Sequence, residues 1–200
     1  MKSRYHYFAY GSNMLTARLR ARCPDAAPIG RARLDGFRID FTKRGGDGSG
    51  KATIHRAGAG DTVFGAIFSM AARERPMLDG CEGFPTHYER IGVTVDGPDG
   101  MAEAETYIAT EAMLGEAILP FDWYHALVLT GALEHDLPAA YVASLYLHRS
   151  LQDRDTQRAL EAWALLAGRD APTADPQQPM SARRRWWRPR GLSSHRRPRT

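Results

Sequence analysis

Cysteine is scarce in this 200-residue chain: Cys23 and Cys81 are the only two. They form neither a CxxC pair nor a Cys/His set with metal-site spacing, and they make no short-loop disulfide framework. A reducing cytoplasm is therefore the expected compartment. Long apolar runs are absent too. None approaches the roughly 20 residues needed to span a bilayer, and the N-terminus lacks a basic region followed by an apolar stretch and cleavage site, so neither span nor leader is expected. The histidines (His6, His55, His87, His125, His135, His148, His195) are scattered without ligand spacing, which argues against a metal centre. The glycine-rich loop RGGDGSGK, 44–51, has alanine after Lys51 where a phosphate loop needs Ser or Thr, and it lacks a strand-to-helix setting. Nucleotide binding there is excluded.

What remains is an ordinary globular composition, with 43% hydrophobic and 25% charged residues, long enough to bury a core. The net charge of +4 belongs to one end. From Pro172 to Thr200 eight arginines face the single acid Asp175, which leaves 19 Lys+Arg against 22 Asp+Glu in the rest. Composition shifts after Gly168 to Pro, Gln, Ser and Arg, which cannot repay the entropy of ordering. We therefore expect a domain over 1–170 and a basic, disordered tail over 171–200. Trp186 and Trp187 among the arginines could contact nucleic acid or an anionic membrane, but a solvated appendage is the preferred reading.

Periodicity predicts an α+β body. Tyr5 to Tyr10 is a short aromatic strand and Asn13 to Arg22 a helix. Ala27 to Thr42, Ala52 to His55 and Val63 to Met70 read as strands, and Ala71 to Cys81 as a helix. Tyr88 to Val95 and Ala102 to Ala109 alternate as a hairpin across the turn DGPDG. Three helices follow, over Phe121 to Leu133, Ala139 to Ser150 and Arg154 to Ala167.

The junction YFAYGSNM is the most informative local feature. A glycine closing a strand lets the backbone turn and lets a ligand approach its amide. Ser12 or Asn13 can cap the helix that follows, whose unpaired first amides favour an anion. By itself the segment reads first as a plain capped strand-to-helix turn.

Taken with LDGCEG and PFDWYHALVLTGALEHDLPAAYVASL further on, the segment resembles the γ-glutamylcyclotransferase (AIG2-like) family in order and separation. The match runs from about Tyr5 to Ser150. The resemblance implies a small, mostly antiparallel β-barrel flanked by helices, with a pocket at one mouth. It also implies a cofactor-free reaction: a γ-glutamyl amide becomes 5-oxoproline when its own α-amine attacks its γ-carbonyl, releasing an amine or amino acid. Glu82 matches the family's catalytic glutamate. Its neighbours Cys81, Gly83, Phe84 and Pro85 bring little charge, and apolar surroundings would favour proton uptake; the bland reading is an exposed acid just past a helix.

By the same resemblance Tyr7, Phe8, Ala9, Tyr10, Gly11, Ser12 and Asn13 line the substrate cavity, and Tyr107 and Tyr124 approach the substrate, with Tyr88 a weaker candidate. Whether the YGSN amides hold an α-carboxylate or an oxyanion stays open. So do the identity of the leaving amine, glutathione being a secondary choice, and whether the chain is a monomer or a homodimer. The rival class is a catalytically silent binding module that uses the Arg/Trp tail.

Overall fold

The computed structural model describes residues 3–168; the expected tail, and the domain boundary near 170, lie outside the described residues. Seven strands form: β1 (Arg4–Ala9), β2 (Ala27–Asp35), β3 (Phe37–Arg44), β4 (Gly50–Arg56), β5 (Thr62–Ala71), β6 (Tyr88–Gly97) and β7 (Gly100–Ala109). Five of them close into a barrel in the order β1-β5-β2-β6-β7, while β3 and β4 pair separately as a ribbon. Four of the barrel's contacts are antiparallel, and the seam is parallel, where Tyr7 of β1 meets Glu105 of β7.

The β6/β7 hairpin follows from its alternation. Val93 and Val95 point into the core while Gly92 and Thr94 face out, the period of two that a half-buried strand imposes. β5, hydrogen-bonded on both sides, carries a nearly continuous apolar run in which Val63, Ala66, Ile67, Phe68 and Met70 are all buried.

The helices are α1 (Thr16–Arg22), α2 (Arg75–Glu82), α3 (Asp122–Glu134), α4 (Ala139–Tyr146) and α5 (Thr156–Leu166). Two starts differ from expectation. Ser12–Met14 forms a separate 3-10 turn, closed by the Met14 amide donating to the Gly11 carbonyl, and α1 begins only at Thr16. Neither Ser12 nor Asn13 caps α1, because their side chains are engaged elsewhere. Likewise Ala72–Glu74 is a 3-10 turn, and α2 starts at Arg75 with proline in its first turn, where a missing amide costs nothing. α2 reaches Glu82 and stops because Gly83 takes the left-handed conformation, φ 69°, and returns its amide to the Asp79 carbonyl. Glu82 is thus the last helical residue, one beyond the Cys81 end that was expected.

α3 is apolar on nearly all sides, and its buried residues run from Trp123 to Ala132. α5 is fastened to it through the buried Asp153, which accepts from Trp123 Nε1 at 2.8 Å and from Arg158 at 2.6 Å twice. On its other side α3 crosses the Ser12–Met14 turn. The crossing requires Gly131, since a Cβ there would sit 2.5 Å from the Leu15 amide nitrogen and 2.7 Å from Met14 Cβ. Glycine costs a helix about 1 kcal/mol in propensity, and close approach is the reason to keep it.

Gly131→Ala is therefore expected to destabilise the fold by about 1–3 kcal/mol, as overpacking does. Chemical denaturation measures this, and an unchanged midpoint would contradict the contact.

Candidate active site

Strand β1 ends at Ala9, and the chain leaves the barrel through Tyr10 and Gly11 into the Ser12–Met14 turn. Gly11 sits against β4 and α3: a Cβ on it would lie 3.1 Å from Ala52 Cβ and 3.5 Å from the Tyr124 hydroxyl. The missing side chain leaves room where three elements converge. There the surface opens into a cleft lined by Tyr7, Tyr10, Gly11, Ser12 and Asn13 from the turn region and by Glu82 from the end of α2. Arg18 and Arg22 of α1, Lys43 and Lys51 of the ribbon, and Ala52, Cys81, Tyr88, Tyr107 and Tyr124 complete its walls.

Glu82 is fixed by two donors on one oxygen. Asn13 Nδ2 and Arg22 Nη1 each reach Glu82 Oε1 at 2.9 Å. Asn13 also accepts from Arg22 at 3.0 Å and donates to the Tyr7 hydroxyl at 3.1 Å, so one amide ties the turn, α1 and α2 together. Both bonds fall on Oε1, and among the described residues Oε2 makes none. The apolar surroundings expected for Glu82 are corrected here. Phe84 points outward with 38% exposure, and the group that faces the carboxylate is a guanidinium brought by α1, remote in sequence.

Five tyrosines wall the cleft, and burial pushes every phenol up, so all are neutral at ordinary pH and serve as hydrogen-bond groups. Their protons are unequally committed. Tyr10 donates to the Tyr107 carbonyl, Tyr107 to Asp79 at 2.6 Å and Tyr88 to the Ala52 carbonyl at 3.0 Å. The Tyr124 hydroxyl instead accepts from the Ala52 amide at 3.1 Å, and that of Tyr7 accepts from Asn13. Tyr7 and Tyr124 therefore keep a hydrogen to offer.

Lys51 is buried against Asp47 at 2.8 Å and over the Tyr124 ring at 4.8 Å. Burial outweighs the attraction of Asp47, and the Lys51 pKa falls to about 8. Burial also pushes Lys43 and Arg18 down. Among the described residues no three His, Cys, Asp or Glu side chains converge as a metal's ligands would.

Of the residues expected in the cavity, Tyr7, Tyr10, Gly11, Ser12, Asn13, Glu82, Tyr107 and Tyr124 come together. Phe8 and Ala9 do not. Phe8 is fully buried and Ala9 is 1% exposed; both belong to the barrel core and not to the cleft wall. Tyr107 lines the cleft with its ring, but its hydroxyl is turned to Asp79. Sequence reasoning missed the cations. Arg18 and Arg22 lie four apart, and hence on one face of α1, which was a usable signal. Lys43 and Lys51 are two of only three lysines in the chain, and they bracket the glycine loop.

The AIG2-like family profile matches residues 62–145. The γ-glutamylcyclotransferases of Bos taurus and Homo sapiens are each 36% identical to this chain over 146 residues, which is 70% of this chain and 76% of theirs. A solved structure described as a γ-glutamyl cyclotransferase aligns with TM-score 0.69 at 31% identity, covering 76% of this chain and 92% of that one. Bacillus subtilis YkqA, at TM-score 0.64 and 22% identity over 75% of this chain and 57% of that one, shares the fold. A closed five-strand barrel accompanied by five helices is thus the class of protein observed. Within that class, the chain belongs to the γ-glutamylcyclotransferase family.

Carbon-13 NMR of labelled lysines is expected to show Lys51 titrating near pH 8, against about 10.4 for an unperturbed lysine. The folded chain releases this proton before the unfolded chain does. The contribution of Lys51 to stability is therefore unfavourable below about pH 8 and improves as pH rises toward about 10.4. Asp47→Asn removes the carboxylate that favours the ammonium and is expected to lower the value further; a rise would contradict the pairing.

Proposed function

We propose that this chain converts a γ-glutamyl amide into 5-oxoproline and a free amine, with Glu82 as general acid and base. The observation that carries the reading is the Glu82 carboxylate opening into the same cleft as the Tyr10, Gly11 and Ser12 turn, with one oxygen held and the other available. Kinship to γ-glutamylcyclotransferases supports the reaction class.

The chemistry needs a base, a folded-back substrate and a place for negative charge. Glu82 Oε2 takes a proton from the substrate's α-ammonium, and the freed amine attacks the γ-carbonyl carbon. A carbon–nitrogen bond forms as the carbonyl electrons move onto oxygen. When that carbonyl re-forms, the bond to the original amide nitrogen breaks. Two protons leave the attacking nitrogen and two reach the departing one, so the reaction needs no water or external nucleophile, and Glu82 is its own relay. Asn13 and Arg22 act as positioning residues, holding Oε1 so that the carboxylate cannot rotate away. Curling the glutamyl chain inside tyrosine walls supplies the proximity on which ring closure depends.

The hydrogens of the Tyr7 and Tyr124 hydroxyls, together with the first amides of the Ser12–Met14 turn, which precede its internal hydrogen bond, are the candidate donors to the oxyanion or the α-carboxylate.

Glu82→Gln keeps the shape and removes the base. Its kcat for 5-oxoproline release is expected to fall by about 10²–10⁴ with little change in KM. Near-normal turnover by the folded variant would remove Glu82 from its role. A blank across γ-glutamyl dipeptides, γ-glutamylamines and glutathione with folded wild-type protein would favour a binding module instead.

A further inference from the structure

Lys43 is a buried charge that ring closure does not use. It lies on β3 with 2% of its surface exposed and lines the cleft. Its ammonium rests 4.9 Å from the Tyr88 ring centroid and, among the described residues, makes no ion pair or hydrogen bond. Lys51 by contrast has Asp47, and Arg22 has Glu82. A ring face attracts a cation but does not neutralise it, and burial pushes the Lys43 pKa down against the attraction of Glu82 and Asp47, so its charge is only partly compensated. Such a site is repaid when an anion arrives.

Charge balance indicates which anion. Once a γ-glutamyl amino acid is bound, Arg18, Arg22, Lys43, Lys51 and the substrate ammonium oppose Glu82, Asp47 and the substrate's two carboxylates. The nearby Asp79 is already held by Arg90 at 2.7 Å. Among the described residues one cation stays unmatched. A γ-glutamylamine, lacking the second carboxylate, would leave two, whereas a third carboxylate on the departing residue balances the cleft.

We infer that the preferred leaving group is an acidic amino acid, so that the substrate class is a γ-glutamyl dipeptide ending in Glu or Asp whose additional carboxylate is bound by Lys43. This inference rests on the lactam-forming reading above and sharpens it. Lys43 is then a specificity-determining residue, since the bond that breaks lies on the glutamyl side and the lysine grips the part that leaves.

The test compares kcat/KM for 5-oxoproline release by full-length protein from γ-Glu-Glu, γ-Glu-Asp, their neutral isosteres γ-Glu-Gln and γ-Glu-Asn, and γ-glutamyl ethylamide. The acids are expected to exceed the isosteric amides by about ten- to hundredfold, the worth of a charged hydrogen bond, with the difference carried by KM and the ethylamide poorest. Lys43→Met is expected to bring the ratio of acid to amide near one, while Lys43→Arg retains a preference for the acid. Equal turnover of acids and amides by wild type overturns this inference and leaves the reaction standing, and so does an acid preference that survives Lys43→Met. No 5-oxoproline from any of the five overturns both. The wild-type ranking decides the matter even if the methionine variant does not fold.

Discussion

One carboxylate joins parts of the chain that would otherwise have no reason to meet. Glu82 ends α2, Arg22 ends α1, and Asn13 lies in the turn after β1; the three are held by bonds of 2.9, 2.9 and 3.0 Å. A guanidinium and a carboxylate, each only 15% exposed, can be placed here because each meets the other, and because the Asn13 amide satisfies both while donating onward to Tyr7. Buried polar networks are favourable when every member is satisfied and costly when one is missing. The junction is thus an interior contact that stays polar because Arg22 and Glu82 are paired.

The barrel and α3 provide the stiffness this junction needs. Closing the sheet through the β1/β7 seam fixes the point where β1 ends, and Gly131 lets α3 press on the turn that follows. Tyr124 reaches from α3 to the Ala52 amide, and Tyr88 reaches from β6 to the Ala52 carbonyl, so the β3/β4 ribbon is pinned from both sides at one residue. The ribbon's lysines line the same cleft as Glu82 as a result. Sites built on rigid elements hold their geometry better than sites on loops, and here each wall is a strand, a helix or a tightly bonded turn.

Much of the element order was legible because it rests on local rules. The β6/β7 hairpin followed from alternation around DGPDG, and α2 and α3 from apolar spacing and flanking Gly or Pro. The start of α1 was misjudged for a physical reason. Asn13 looks like a cap, but its side chain gains more from Glu82 and Tyr7 than from an amide two residues on. Phe8 was expected in the cavity because it sits inside the motif, yet strand alternation turns it away from Tyr7 and into the core. The 44–51 loop held no nucleotide signature, and that reading said nothing of the lysines at its border, whose role depends on where the ribbon folds.

The sequence by itself determined the alternation of strands and helices, the family's motif residues and the glycine-bent end of β1, because each depends on neighbours within a few positions. Barrel closure, the guanidinium on Glu82 and the unmatched ammonium of Lys43 were decided only by tertiary structure. Charges separated by tens of residues do not interact along the chain. They interact once folding brings them within hydrogen-bonding distance and removes the water between them, which strengthens their attraction and raises the cost of leaving one unpaired.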